Sequence, residues 1–164
     1  MRKPTTGICP MPEYDAIVVG AGAAGCVAAG FAARRGRKIL LLERNTRPAR
    51  KILVTGKGRC NLTNDCPPEE FLRHVRGNAR FLTGAISRFP PAAAMELFES
   101  LGVPLKTERG RRVFPVSDRA MDAADALQRL AHEKNVTVAE GRAVSLQIEG
   151  GALAGVRAED GAVY

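Results

Sequence analysis

Aromatic side chains are scarce in this sequence, and tryptophan is absent. Aromatic residues make up 5% of the chain, whereas proteins that bind single-stranded nucleic acid commonly stack bases on such rings. Glycine, with 17 residues, is plentiful instead, and small residues let helices pack closely on a sheet. The composition therefore favours an α/β domain over a base-stacking surface.

Membrane-spanning and metal-binding patterns are also missing. No apolar run approaches the ~20 residues of a membrane-spanning helix, and the basic N-terminus lacks the apolar core of a signal peptide. The cysteines at positions 9, 26, 60 and 66 show no common zinc spacing, and neither histidine has a cysteine at ligand spacing. We therefore expect no membrane partner, no metal site, and free thiols in a reducing cytoplasm.

The formal charge of +8 is spread over short, separate clusters. These clusters lie at residues 34–38, 50–51 and 109–112. A basic balance is compatible with nucleic acid, a membrane surface or an anionic ligand. Because the cations do not form one run, the pattern argues against a polybasic tail.

Hydrophobic patterning predicts a Rossmann-like α/β fold after a flexible tail at residues 1–12. "AIVVG" is typical of a parallel strand buried on both faces, the next stretch predicts a helix that ends near Gly36, and "KILLLE" completes a right-handed βαβ unit. A helical insertion follows over about residues 67–102. A hairpin turning at Gly110, a second crossover helix, a third parallel strand "VTVAE" and an antiparallel β-meander complete the pattern. Residues 13–164 are thus expected to form one incomplete dinucleotide-binding domain.

The string "GAGAAG", from Gly20 to Gly25, is the strongest candidate for a ligand site. It follows a predicted strand, opens a helix and precedes a strand that ends at Glu43, which is the order of a dinucleotide-binding unit. Gly20 permits the tight turn, Gly22 lets backbone N–H groups approach a pyrophosphate, and Gly25 lets the helix sit close to the strand. The positive end of the helix dipole favours the anion.

Glu43 is placed to accept hydrogen bonds from both hydroxyls of an adenosine ribose and to repel a 2′-phosphate. The motif therefore leaves FAD or NAD as the ligand and disfavours NADP. The alternative is a glycine-rich turn of an unrelated α/β protein, in which Glu43 is an ordinary carboxylate at the end of a strand.

The segment "TGKGRCNLTN", residues 55–64, has no hydrophobic period and admits several interpretations. A Walker A loop is excluded because Lys57 is not followed by Ser or Thr and no glycine stands five residues before Gly56. A nucleic-acid patch would lack aromatic platforms here, and Cys60 and Cys66 are poorly spaced for a redox pair. A loop that wraps around a cofactor remains, with Cys60 either structural or catalytic.

Two longer motifs, "KILVTGKGRCNLTN" and "GRRVFPVSDRA", resemble those of a family of bacterial NAD(P)/FAD-dependent oxidoreductases, the aminoacetone-oxidase-like and bile-acid-reductase-like flavoproteins. The resemblance runs from about Tyr14 to Tyr164 and covers only the N-terminal part of a typical member. It implies a Rossmann-like FAD-binding domain that is interrupted by other segments and completed by later ones.

The resemblance also implies roles for individual residues. Gly20, Gly22 and Gly25 would hold the FAD pyrophosphate, Glu43 the adenosine ribose, and the backbone of Val144 the adenine. Arg50 and Lys51 would hold the stretch that leads from the ribose toward the flavin. Five further residues would lie along the ribityl chain or the isoalloxazine ring: Gly56, Gly58, Arg59, Cys60 and Asn61.

Several of these assignments keep an alternative. Solvated surface charge is the alternative for Arg50, Lys51 and Lys57. Arg111 and Arg112 either approach an anionic substrate or phosphate or are surface cations. Family members often have glycine where this chain has alanine at position 49.

For function, the resemblance implies the FAD-binding part of an enzyme in which NAD(P)H reduces FAD and the flavin passes hydride to a small organic substrate. The sequence identifies neither substrate nor catalytic residues, and we expect this chain alone to be inactive. A truncated sheet would leave the strand Ala16 to Val19 with an open apolar edge, which predicts self-association. Two alternatives stay open: a non-catalytic NAD- or ADP-binding module, and a basic nucleic-acid-binding protein, although we expect no nucleic-acid partner.

Overall fold

The computed structural model describes residues 14–164, which divide into two compact units. The first unit contains residues 14–48 and Leu130–Tyr164, and the second unit is Ala49–Arg129. The predicted flexible tail, residues 1–12, lies outside the described residues.

Eight strands and five helices follow one another along the described chain. The strands are β1 (Ala16–Val19), β2 (Ile39–Glu43), β3 (Thr63–Asn64), β4 (Leu105–Glu108), β5 (Arg112–Pro115), β6 (Val136–Glu140), β7 (Ala143–Glu149) and β8 (Ala152–Ala158). The helices are α1 (Ala23–Arg34), α2 (Pro68–Arg73), α3 (Ala79–Arg88), α4 (Pro91–Ser100) and α5 (Ala120–Ala131). A kinked 3₁₀ segment covers Arg50–Gly58.

The first unit is built on a parallel sheet with the strand order β1-β2-β6. β2 lies in the centre, and all its residues are buried. It pairs with β1 and, along its whole length, with β6. A strand with neighbours on both sides and cover on both faces needs an uninterrupted apolar sequence, and "ILLL" supplies it. The predicted α/β class, with its parallel sheet and crossover helices, is confirmed.

β1 differs from the prediction of a strand buried on both faces. It lies at an edge of the sheet in the part of the chain that the structure describes, with β2 as its one partner. Both its first residue, Ala16, and its last, Val19, are exposed.

The buried residues of helix α1 are small, and a Cβ atom at Gly30 would lie 2.5 Å from Cγ of Leu130. Only glycine fits this close approach.

The predicted β-meander is a hairpin with one added bridge. β7 and β8 pair antiparallel across a turn at Gly150 and Gly151, both of which have positive φ. After the next turn, Val163 forms a single bridge to Arg157. The last segment of the meander is therefore shorter than a strand.

The second unit contains an antiparallel sheet with the order β3-β5-β4. The hairpin of β4 and β5 was predicted, whereas β3 was not, because two residues are too few for a detectable pattern. Helices α2, α3 and α4 occupy the segment predicted as a helical insertion. In residues 14–164 no helix combines the length and apolar character needed to cross a membrane.

Candidate functional site

The turn between β1 and α1 places its three motif glycines in different environments. Gly20 has a φ of +95°, which glycine adopts without strain. A Cβ atom at Gly25 would overlap the carbonyl oxygen of Gly20. By contrast, an ideal Cβ at Gly22 would have none of the described atoms within 4 Å, its chain neighbours aside. The fold therefore requires Gly20 and Gly25, whereas the space beside Gly22 is free for a ligand.

The N-terminus of α1 has the properties of an anion site. Gly22 is its N-cap residue with extended backbone, and within the described chain no side chain caps the helix and no acidic residue lies in its first turn. The first N–H groups of a helix have no intrahelical acceptor; that of Cys26 bonds to the Gly22 carbonyl at 2.9 Å. The preceding N–H groups and the positive end of the helix dipole therefore favour an anion at this terminus.

Glu43 ties the end of β2 to the glycine turn. Its carboxylate is buried, with 8% of the residue exposed, and Oε2 accepts a hydrogen bond from the Ala21 N–H at 2.7 Å. The Ala21 carbonyl accepts a bond from the Cys26 thiol at 3.4 Å. Burial and the nearby Glu43 carboxylate raise the pKa of this thiol to about 11, which keeps it protonated as a donor. The acidic residue therefore supports the turn as well as facing the ligand space.

Opposing effects set the pKa of Glu43. Burial raises it, but hydrogen bonds from the backbone N–H groups of Asn45 and Ala21 and from the Asn45 side chain outweigh burial and lower the pKa below its ordinary value of 4.5. Oε1 accepts from Asn45 N at 2.9 Å and from Asn45 Nδ2 at 2.5 Å. A carboxylate has roughly four acceptor positions. Three of them are occupied, so a ribose that donates from two hydroxyls would have to displace one of these three N–H donors.

The carboxyl ends of β1, β2 and β6 border one cavity of about 240 Å³ in the first unit. Ligands of parallel α/β sheets bind at this end of the strands. The lining residues are Val19, Gly20, Leu42, Glu43, Arg44, Gly141, Arg142 and Ala143. Val144, the predicted adenine neighbour, follows directly and is 53% exposed.

Sequence reasoning predicted only Gly20 and Glu43 of these lining residues as site residues and missed the other six: Val19, Leu42, Arg44, Gly141, Arg142 and Ala143. A signal was present, because Gly141 and Arg142 immediately follow the predicted strand "VTVAE". A Cβ at Gly141 would lie 3.0 Å from Cδ1 of Leu42, so a small residue is needed there.

The second unit holds the segment 50–61, whose backbone bends back on itself. Gly56, Lys57, Gly58 and Cys60 all have positive φ, between +55° and +85°. A Cβ at Gly56 would lie 2.8 Å from a backbone nitrogen, so glycine is required there for space as well as for conformation. Ala49 has a φ of +58°, a backbone conformation that glycine adopts without strain. Gly56 and Gly58 are exposed, as are Arg50 and Lys51.

Arg59 is bound within the second unit. Its guanidinium donates to Glu108 and, at 2.6 and 2.8 Å, to Asp118, and it lies 4.3 Å from the centre of the Phe114 ring. Lys106 donates to the other oxygen of Asp118 at 2.7 Å. The bond from Arg59 lowers the pKa of Glu108, and the bonds from Lys106 and Arg59 lower the pKa of Asp118. The side chain predicted to contact the flavin therefore has carboxylate partners of its own.

The neighbouring side chains are also held in place. Cys60 is 2% exposed, and burial raises the pKa of its thiol. Because the thiolate is the nucleophile, this environment favours a structural cysteine. The Asn61 side-chain amide is oriented so that its nitrogen faces two backbone carbonyls. The nitrogen donates to the carbonyl of Thr63 at 3.1 Å and to that of Val113 at 3.3 Å.

A further cavity of about 420 Å³ in the second unit lies beside Arg111, which pairs with Glu70 at 2.5 Å. Cys66 and His74 also line it. Among residues 14–164, no group of three or more His, Cys, Asp and Glu side chains is placed to hold a metal ion.

The comparisons with known proteins agree with this geometry. The family described as "HI0933-like protein Rossmann domain" matches residues 14–162, and the chain belongs to this family. It is 34% identical over 128 residues to the ribosomal RNA dihydrouridine synthase of Escherichia coli, a match that covers 77% of this chain and 31% of that protein. It is 32% identical over 126 residues to the 3-dehydro-bile acid delta(4,6)-reductase of Clostridium scindens. That match covers 76% of this chain and 30% of the reductase.

Solved structures show the same fold. The 3-ketosteroid-delta4-(5alpha)-dehydrogenase of Rhodococcus jostii RHA1 superposes with a TM-score of 0.68 at 18% identity, over 97% of this chain and 45% of that one. The open conformation of a flavocytochrome c3 fumarate reductase gives a TM-score of 0.68 at 20% identity. That match covers 95% of this chain and 32% of the reductase chain. The predicted family is confirmed: the chain is a FAD-binding Rossmann domain of the flavin oxidoreductases. It spans about a third of the length of the two curated relatives.

Proposed function

We propose that this chain is the FAD-binding N-terminal portion of an oxidoreductase in which NAD(P)H reduces FAD and the flavin passes hydride to a small organic substrate. The observation that supports FAD binding most directly is the free space at Gly22, beside the N-terminus of α1. One relative is named for ribosomal RNA and another for a bile acid. These names differ too widely to narrow the substrate.

The residues of the first unit fit FAD by their chemistry. The N–H groups at the start of α1 would bind the pyrophosphate. Because Gly22 has no side chain, the pyrophosphate can approach the backbone, and Gly20 and Gly25 allow the tight turn and the close packing of α1 that this approach needs. The ionised Glu43 would accept bonds from the adenosine ribose in place of one of its present N–H donors, and the backbone of Val144 would meet the adenine. Bound FAD supplies the two-electron chemistry.

A second part of the proposal rests on the family resemblance. It assigns Arg50 and Lys51 to the stretch that leads from the ribose toward the flavin. It assigns the ribityl chain or the isoalloxazine ring to Gly56, Gly58, Arg59, Cys60 and Asn61. Because Arg59, Cys60 and Asn61 are engaged within the second unit, we propose that their side chains hold the segment in shape. The exposed backbone of Gly56 and Gly58 would then make the contact.

A titration with FAD tests the proposal, with Glu43→Ala as the variant and Glu140→Ala as the matched control. Glu140 is the register partner of Glu43 on β6, but it is exposed. We expect the unmodified chain and Glu140→Ala to bind FAD alike. Loss of charge-assisted hydrogen bonds should weaken binding to Glu43→Ala about tenfold or more. Binding of NAD or ADP with no affinity for FAD would instead support a non-catalytic nucleotide-binding module.

We also propose a cytoplasmic location and self-association through β1. Cys26, Cys60 and Cys66 are free thiols, which suits a reducing compartment. The open edge of β1 ends in the exposed Val19 and offers unpaired backbone groups to a second strand. Sedimentation should therefore show dimers whose fraction rises with protein concentration. A monomer at all concentrations that also unfolds cooperatively on heating would contradict this proposal.

A further inference from the structure

Helix α3 presents an exposed face that is basic and carries one aromatic ring. At 100° per residue, five of its residues fall within about 140° of its circumference. All five are exposed: Arg80, Phe81, Gly84, Ala85 and Arg88. We call this set the α3 face. The ring of Phe81 is 81% exposed, and none of the residues of α3 is buried.

The two arginines of the α3 face, Arg80 and Arg88, have no Asp or Glu within seven positions in sequence. Residues 71–95 contain four arginines, at positions 73, 76, 80 and 88, and no Asp or Glu. None of the ion pairs within residues 14–164 involves these four arginines. In the same unit, Arg59 and Arg111 do have carboxylate partners. The α3 face therefore carries charge that the fold itself does not use.

The combination of groups on the α3 face matches unpaired nucleic acid. Single strands are bound by cations that contact phosphates and by aromatic rings on which bases stack. Arg80 and Arg88 lie about 12 Å apart along the axis of the helix, far enough to contact different phosphates on either side of a base stacked on Phe81. Gly84 and Ala85 lie between them and leave room for a flat ligand to approach.

We propose that the α3 face binds an unpaired stretch of RNA, with a base on Phe81 and phosphates on Arg80 and Arg88. Unpaired RNA fits better than a membrane, because an interfacial helix needs a broad apolar face rather than one ring among arginines and small residues. It fits better than a duplex, whose stacked bases cannot use the ring. The expectation of no nucleic-acid partner rested on the low aromatic content of the chain, on its scattered cations and on the missing aromatics of residues 55–64. Helix α3 combines cations with an aromatic ring in another segment.

This proposal is independent of FAD binding, because none of the residues of the α3 face belongs to the proposed cofactor site. The test measures fluorescence anisotropy of a labelled single-stranded oligouridylate at several salt concentrations. Phe81→Ala should weaken binding roughly five- to a hundredfold through loss of stacking, and Phe81→Tyr should restore it. Arg80→Ala combined with Arg88→Ala should lower the slope of log affinity against log salt by about 1.4.

The matched control removes two arginines elsewhere in the second unit, Arg109→Ala with Arg119→Ala, and should leave most of the affinity intact. Circular dichroism verifies that each variant is folded. The proposal is overturned if Phe81→Ala binds the oligouridylate as the unmodified chain does, or if both arginine pairs cause equal losses. Equal binding to duplex RNA, binding only to oligodeoxythymidylate, or Phe81-dependent binding to phosphatidylserine vesicles without binding to RNA would overturn it as well.

Discussion

Two glycine-containing segments, residues 20–25 and 56–61, have opposite organisation. In the first unit, residues 20–25 leave open space beside Gly22, the N-cap residue of α1, and no side chain of the described chain caps this helix. In the second unit, two side chains of residues 56–61 are already held by the rest of the unit: Arg59 binds Asp118, and Cys60 is buried. In the first segment the fold requires Gly20 and Gly25, and Gly22 leaves space for the proposed ligand, whereas Gly56 is required by its own segment.

The difference shows that a cluster of cations and amides does not by itself mark a ligand contact. Cations and amides that already have partners inside the unit stabilise the segment, and ligand binding would have to break those bonds. Free backbone donors at a helix terminus have no such competitor. The two segments should therefore respond differently to substitution.

The largest expected effect is that of Gly25→Ala. A Cβ atom there overlaps the Gly20 carbonyl oxygen, so α1 or the turn must move. We expect a loss of about 3 kcal/mol or more in the free energy of unfolding, measured by urea denaturation. Gly22→Ala meets no such obstacle and should cost less than about 1 kcal/mol, as expected for alanine at an N-cap. Equal losses for the two variants would contradict the distinction.

Arg59→Met should have the next largest effect, on stability rather than on the cofactor. It leaves Glu108 without its arginine and removes the guanidinium stacked on Phe114. Thermal unfolding should shift to lower temperature by less than in Gly25→Ala. FAD affinity, measured well below the melting temperature, should change little. A variant of unchanged stability that no longer binds FAD would show that Arg59 contacts the cofactor directly.

The same cluster predicts a pH dependence. The pKa values of Glu108 and Asp118 are lowered in the folded chain from ordinary values of 4.5 and 3.8. Their contribution to stability is therefore present above those ordinary values and is lost as the pH falls through the lower folded values. Urea denaturation from about pH 5 to about pH 3 should show a steeper loss of stability in the unmodified chain than in Arg59→Met. Parallel curves would contradict the assigned ion pairs.

The smallest effect is expected at Lys57, an exposed residue with a φ of +57°. Left-handed backbone costs a non-glycine residue about 1–2 kcal/mol, part of which is offset by the larger entropy of glycine in the unfolded chain. Lys57→Gly should therefore raise the free energy of unfolding by up to about 1 kcal/mol. A loss of stability would indicate that the lysine side chain has a stabilising contact.

Much of the fold could be predicted because its signals are local. The strand "KILLLE", the helices and the Gly110 turn each carry their own pattern of hydrophobic period, proline or glycine. The edge position of β1 could not be predicted, because an apolar run does not say how many neighbours a strand has. The bond from Ala21 to Glu43 joins residues 22 positions apart and depends on how the turn faces β2.

One part of the candidate site could be predicted from the sequence, and another part could not. Gly20, Gly22, Gly25 and Glu43 follow from a motif whose spacing has a physical reason. The partners of Arg59 lie 49 and 59 positions away in sequence, on β4 and just before α5. Nothing local in "TGKGRCNLTN" indicates them, so whether that segment meets the flavin stays a prediction.

The most direct test of the central claim is the FAD affinity of Gly22→Ala beside that of Gly84→Ala. Both glycines lack a positive φ, and an added Cβ meets none of the described atoms within 4 Å at either position. We predict that Gly84→Ala binds FAD like the unmodified chain and that Gly22→Ala binds it at least about tenfold more weakly, because the methyl group keeps the pyrophosphate from the backbone. Equal FAD affinity of the two variants would contradict the account.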